Sequence, residues 1–134
     1  MRTLYLDSSA VLKFIFSEPE SSAARKEIRG NLYSSEIVRV EVVRTVLRLE
    51  PAQLERALEV LSKIRIIKIK SGILVQAERL PSHVKIRGMD AIHLASANTL
   101  GRLGHTVITY DKNMAKAARA LGFVIESPGA KLGL

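Results

Sequence analysis

Four carboxylates, Asp7, Glu41, Asp90 and Asp111, are scattered along this 134-residue chain, each in a setting that could bring it to one place. Two of the aspartates end apolar strands, Leu4-Tyr5-Leu6-Asp7 and Val107-Ile108-Thr109-Tyr110-Asp111, and both run straight into helical patterns. In parallel α/β sheets the carboxyl ends of strands open into the ligand crevice, so side chains placed there meet in space. Glu41 lies inside an apolar helix, and Asp90 opens the segment Met89-Asp90-Ala91-Ile92-His93-Leu94-Ala95. If these acids converge, each pair at ~4 Å repels by about 4 kcal/mol at an effective dielectric of 20. A hard dication offsets that repulsion, and Mg²⁺ or Mn²⁺ suits a site built of carboxylates and water. The chain carries 21 Lys and Arg against 13 Asp and Glu, a net charge of +8, which favours a polyanionic partner. An acidic metal site on a basic protein points to a nuclease.

Each acid also has a structural explanation. Asp is a preferred helix N-cap, and Asp7, Asp90 and Asp111 all stand just before or at the start of helices. Glu41 could be a solvated partner of Arg44 at i,i+3, a pairing worth only ~0.2–0.5 kcal/mol. Joint placement favours chemistry, because two of the aspartates end strands at the same sheet edge, where cap and ligand positions coincide. No basic residue flanks Asp7 to neutralise it.

The elements that must position these acids follow from periodicity and punctuation. Residues 3–7 read as a short buried strand, and Ser8 or Ser9 can cap a helix through Phe16. Glu18-Pro19-Glu20 breaks it and begins another helix, which runs to about Arg29 and stops at Gly30. After an extended piece at Leu32-Tyr33-Ser34, Ser35 caps a largely buried helix through about Leu49, on which Glu41, Arg44 and Arg48 share the polar stripe. Pro51 suits the first turn of a helix carrying Leu54, Leu58 and Leu61. A strand at 64–69, a helix at 71–80, a basic loop at 82–88 and a helix at 89–103 come next. A strand at 106–110, a helix at 112–121 and a last strand at Phe123-Val124-Ile125 complete the domain. Strands separated by helices of this length imply parallel βαβ units and a three-layer α/β/α sandwich with a mostly parallel central sheet. One domain over residues 1–129 is expected, followed by a loose tail at 130–134. The absence of cysteine excludes disulfides and thiolate zinc sites. No apolar run approaches the ~18 residues of a membrane span, so a cytoplasmic protein without membrane contact is expected.

Taken in order, Tyr5-Leu6-Asp7-Ser8-Ser9-Ala10, the Ser35 to Glu41-Val42-Val43-Arg44 helix, Asp90-Ala91-Ile92-His93-Leu94-Ala95 and Thr109-Tyr110-Asp111 resemble a PIN domain, and more narrowly the VapC-type ribonuclease toxins. The resemblance extends from about Thr3 to Ser127-Pro128-Gly129. It implies metal ligation by Asp7, Asp90 and Asp111, with Glu41 as a further ligand or as a positioner of water. It also implies that the Ser9 and Thr109 hydroxyls orient the acids. Asn113 stands where many relatives carry another acid, and an amide ligates only through its carbonyl oxygen and adds no charge. The implied activity is Mg²⁺- or Mn²⁺-dependent endonucleolytic cleavage of RNA, leaving a 3′-hydroxyl and a 5′-phosphate. The implied partners are an RNA substrate, a small VapB-like antitoxin that blocks the site, and a second copy in a homodimer.

Lys13, Arg44, Arg87 and Lys112 lie near the acids in sequence and as a set suit a basic, RNA-gripping rim around an acidic pit. His93, three residues after Asp90, shares its helical face, but a lone helical histidine is more often structural and no catalytic role is assigned to it. With no tryptophan, base stacking is a minor expectation. Alternatives that keep the fold are a catalytically weak module that binds RNA or a partner, and a housekeeping RNA-processing nuclease. A phospho-accepting receiver domain would need an acid pair after the first strand. A haloacid-type phosphatase would need an acid two residues beyond Asp7, where Ser9 stands.

Overall fold

The computed structural model describes residues 1–132. The chain begins with its central strand, β1 (Thr3–Leu6), followed by α1 (Ser8–Leu12), α2 (Ser21–Glu27), β2 (Asn31–Ser35) and α3 (Val38–Leu49). A 3-10 turn at Pro51–Gln53 leads into α4 (Leu54–Ser62) and the short strand β3 (Arg65–Ile67). Next come α5 (Ser71–Glu78), α6 (Gly88–Asn98), β4 (Thr106–Ile108), α7 (Lys112–Ala120) and β5 (Ile125–Glu126).

The sheet has the order β3-β2-β1-β4-β5, and every neighbouring pair is parallel. Tyr5 faces Tyr33 on one side and Val107 on the other, and Leu6 faces Ile108. Side chains alternate across the strands, which divides the core in two. Leu4, Leu6 and Ile108 pack with residues of α1, α2, α3 and α4, including Val11, Ala24, Val42 and Leu61. Tyr5 and Val107 pack with α6 and α7 through Leu94, Ala97, Met114 and Ala118. The result is the expected three-layer α/β/α sandwich. The chain builds outward from β1 to β3, then returns to the other side of β1 as β4. The strand order therefore reverses between β1 and β4, and in open α/β sheets the crevice for ligands lies at such a switch, outside the carboxyl ends of the strands.

Several boundaries differ from the sequence expectation. The cap of α1 is Asp7 itself, whose side chain accepts from the Ala10 N–H, so neither Ser8 nor Ser9 caps it. Ser35 ends β2 instead of capping α3, which starts at Val38 after a turn. α6 stops at Asn98, short of Leu103, because Thr99, Leu100 and Gly101 N–H groups turn to carbonyls three residues back and unwind its end. β5 is Ile125–Glu126, set by its pairing with Val107 and Ile108, while Phe123 is buried in the core beneath. In the expected tail, the Ala130 N–H bonds to the Ser127 carbonyl, and residues 133–134 lie outside the described residues. Among the described residues no helix is long and apolar enough to cross a membrane.

Gly30 lets α2 return tightly into β2. It sits at φ 146°, and a Cβ there would lie 2.3 Å from the Arg2 carbonyl oxygen. That oxygen accepts the Asn31 N–H, which fixes β2 beside β1. Gly30→Ala is expected to destabilise the fold by more than about 1 kcal/mol, read from chemical denaturation; an unchanged midpoint would contradict this account of the turn.

Candidate active site

The acids reach the switch crevice from four elements. Asp7 follows β1, Asp111 follows β4, Glu41 is carried by the first turn of α3, and Asp90 by the first turn of α6.

Asp7 is buried at 4% exposure and is held by three donors. Its Oδ1 accepts from the Ser9 hydroxyl at 2.6 Å and the Ala10 N–H at 3.0 Å, and its Oδ2 accepts from the Thr109 hydroxyl at 2.5 Å. The two hydroxyls do more than hold Asp7. Ser9 Oγ accepts the Tyr110 N–H at 2.8 Å, and Thr109 Oγ1 accepts the Asp111 N–H at 3.1 Å, which ties the end of β4 to the end of β1. Ser9 and Thr109 therefore both hydrogen-bond the Asp7 carboxylate. Burial pushes the Asp7 carboxyl above its usual range, against the opposing pull of nearby His93 and of the hydrogen bonds from Ser9, Thr109 and Ala10. A carboxylate has about four lone-pair sites, so three donors leave room for one further contact.

The capping explanation divides the aspartates. Asp111 caps α7 by accepting the Met114 N–H at 3.0 Å, as Asp7 caps α1. Asp90 caps nothing. The N-cap of α6 is Arg87, and Asp90 is the third helical residue. Its carboxyl is raised to about 6, first by burial, then by the charges of Asp111 and Asp7 and, more weakly, of Glu41, with His93 pulling the other way. None of these causes is a hydrogen bond to Asp90. Three acids therefore bear on the fourth, and among the described residues no Lys or Arg forms an ion pair with it.

Glu41 does not pair with Arg44. Its Oε1 lies 2.6 Å from His93 Nε2, and His93 Nδ1 lies 2.7 Å from the Tyr5 hydroxyl. The sequence placed His93 on the Asp90 face of its helix but could not show this link, which joins residues 52 positions apart.

Of the four basic candidates, Arg44, Arg87 and Lys112 are exposed and take part in no ion pair among the described residues. Lys13 departs from the expectation of a free phosphate grip. It is 8% exposed, its Nζ lies 3.2 Å from Glu20 and 3.4 Å from Glu18, and it sits over the Tyr110 ring. It clamps the loop before α2 to the end of β4. Asn113 is exposed on the first turn of α7. A groove of about 430 Å³ along β5 is lined by none of the four acids.

Among the described residues, no group of three or more His and carboxylate side chains is closed around a single point fit for a metal ion. Mg²⁺ does not need such a cage. It commonly keeps several waters and takes one or two carboxylates together with substrate phosphate. The donor set here is all oxygen and like-charged, and among the described residues Asp90 has no ion pair with a Lys or Arg, so the residues fit a hard dication.

The chain is thus a parallel α/β sandwich with Asp7 and Asp111 following the two strands that flank its topological switch, and with Asp90 and Glu41 near enough for their charges to interact. Comparison with known proteins makes the assignment narrower: the PIN domain family model matches residues 4–120, and the chain belongs to that family. It is 34% identical over 134 residues to Ribonuclease VapC47 of Mycobacterium tuberculosis, covering 95% of this chain and 98% of that protein. It is 35% identical over 130 residues to Ribonuclease VapC46 of the same organism, covering 96% and 99%. Among solved structures, VapBC2 of Rickettsia felis bound to a promoter DNA fragment superposes with a TM-score of 0.71 at 17% identity, covering 94% of this chain and 98% of that one. The sarcin–ricin loop cleaving toxin VapC20 of M. tuberculosis gives 0.67 at 14%, covering 90% and 96%. These two structures share the fold.

The state of Asp90 has a pH signature in the metal-free protein. A carboxyl whose folded value is raised contributes stability below its unfolded value near 3.9 and loses it as pH rises through about 6. In chelator, Asp90→Asn should melt close to wild type at pH 4 and a few degrees above it at pH 7.5. A gap that does not change with pH would show that the neighbouring acids do not press on Asp90.

Proposed function

We propose that this chain is a metal-dependent endoribonuclease acting as the toxin of a VapBC-type toxin–antitoxin pair. The observation that carries the reading is Asp90, a half-buried carboxyl raised to about 6 by burial and by the charges of Asp111, Asp7 and Glu41, with no ion pair to a Lys or Arg among the described residues. Membership of the PIN family and a ribonuclease name on relatives matched over nearly their whole length support the substrate class.

In this reading Asp7, Asp90 and Asp111 hold Mg²⁺ or Mn²⁺, with Glu41 as a further ligand or a positioner of water. A bound dication lowers the pKa of water and stabilises charge on a phosphoryl group undergoing in-line displacement. Ser9, Thr109 and the Ala10 N–H fix the Asp7 carboxylate, so its orientation is set before substrate arrives. Glu41 keeps Oε2 as an acceptor for a proton from water, because Oε1 is engaged by His93. Arg44, Arg87 and Lys112, exposed and unpaired, hold backbone phosphates on either side of the scissile bond. Cleavage on the 3′-oxygen side of the phosphate leaves a 3′-hydroxyl and a 5′-phosphate.

The partner in this reading is a small VapB-like antitoxin that covers the acidic pit. The fold neighbours include VapBC structures from R. felis and Haemophilus influenzae, which supports such a partner. Val40, Leu47 and Leu49 leave apolar surface exposed on α3, in keeping with a protein contact and with a homodimer. A cytoplasmic location is part of the same reading and is supported by the proposed RNA substrate.

Purified protein is expected to cleave RNA with Mg²⁺ or Mn²⁺ and to stop in EDTA. Asp7→Asn and Asp90→Asn should each lower the rate at least about 100-fold, on the scale of removing one essential transition-state contact, with folding retained by circular dichroism. Full activity in chelator would refute the reading.

A further inference from the structure

Glu41 is the one acid of the four tied to another ionisable side chain, and the tie runs through the core. His93 is 1% exposed on α6, and both its ring nitrogens are used: Nε2 at 2.6 Å from Glu41 Oε1 and Nδ1 at 2.7 Å from the Tyr5 hydroxyl. Tyr5 is fully buried in the middle of β1, its ring edge-on to the imidazole at 5.8 Å between centroids. Its hydroxyl oxygen also accepts the Ser35 N–H at 3.1 Å, from the last residue of β2.

We propose that His93 and Tyr5 are positioning residues that lock the Glu41 carboxylate in its working orientation, a role that rests on the ribonuclease reading of the acids. The donors and acceptors define a direction. Ser35 N–H donates to Tyr5 Oη, the Tyr5 hydroxyl donates to His93 Nδ1, and His93 Nε2–H donates to Glu41 Oε1. Each hydrogen meets an acceptor, and one ring tautomer is selected by the bond at the opposite nitrogen. Tyr5 suits the donor role because its hydroxyl oxygen is occupied by the Ser35 N–H and lies 2.7 Å from His93 Nδ1, the direction left for its own hydrogen.

Packing alone does not call for this arrangement. Ala91, Leu94, Ala95, Ser96 and Ala97 make up the rest of the buried residues of α6, and a leucine or methionine at 93 would fill the same space without ring nitrogens to satisfy. A buried imidazole is unfavourable unless both nitrogens find partners. Here those partners come from two other elements, Tyr5 on β1 and Glu41 on α3, and the chain of bonds ends on an acid of the site. Glu41 is partly exposed and has three rotatable bonds, so without His93 its carboxylate would sample many orientations. Groups behind a ligating side chain commonly matter about 10–100-fold to metal affinity or activity.

The test uses full-length protein with Mn²⁺ as the metal probe, RNA as substrate, and variants at three positions. His93→Leu should weaken Mn²⁺ binding or lower kcat about 10–100-fold, with KM for RNA nearly unchanged. His93→Gln, which keeps an N–H donor near the Nε2 position, should recover most of that loss. In a Glu41→Ala background, His93→Leu should change Mn²⁺ affinity no further. In metal-free wild type, imidazole ¹⁵N resonances should show His93 protonated at Nε2, and Tyr5→Phe should remove that preference. Wild-type behaviour of His93→Leu, or an equal loss with and without Glu41, would overturn the relay while leaving the ribonuclease reading standing. A ring protonated at Nδ1 would overturn it too, and does not depend on any variant folding. Wild-type protein that neither binds Mn²⁺ nor cleaves RNA would sink the reading of the site and the relay with it.

Discussion

Like charges brought to one edge of a parallel sheet dominate this structure. The charges of Asp111, Asp7 and Glu41 all push the Asp90 carboxyl upward, on top of the effect of its burial. The protein meets this in two ways. It ties Asp7, Asp111 and Glu41 into hydrogen bonds that favour their present orientations, and among the described residues it gives Asp90 no ion pair with a Lys or Arg. The tension that remains is concentrated at Asp90, and that is where a dication has most to relieve.

Rigidity at the site comes from short bonds between chain segments distant in sequence. Thr109 reaches Asp7 across 102 positions, and the Ser9 hydroxyl accepts the Tyr110 N–H across 101. These bonds join the ends of β1 and β4 at the strand-order switch. The Ser34 hydroxyl makes a similar bond to the Leu6 carbonyl, closing the end of β1 on its other side. The edge that carries the acids is therefore also the edge most heavily cross-linked by side chains, as a site that must hold its geometry requires.

Much of this was legible in the sequence because periodicity and punctuation are local. The apolar runs ending at Asp7 and Asp111 gave the two central strands, and their aspartates fell at the carboxyl edge as parallel pairing requires. Other features depended on tertiary packing and left no local trace. Ser35 looks like a helix cap, yet its N–H is taken by Tyr5 and the helix begins at Val38. Arg44 stands at an ideal spacing from Glu41, but Glu41 turns toward His93 because α6 passes beside it. Lys13 looks like a surface cation near the site, and only the return of the chain through Glu18 and Glu20 makes it a buried clamp. Position 90 shows the converse: three aspartates looked equally like caps, and only the fold separates Asp90 from the two that are.

The account stands or falls on whether the acidic pit takes a dication. Diffraction from crystals grown with Mn²⁺, recorded for anomalous scattering by manganese, measures this directly. The predicted result is an anomalous peak bounded by the carboxylates of Asp7, Asp90 and Asp111, with Asp90 drawn toward it. Manganese found only elsewhere on the surface, with the pit filled by water and Asp90 still unpaired, would contradict the account.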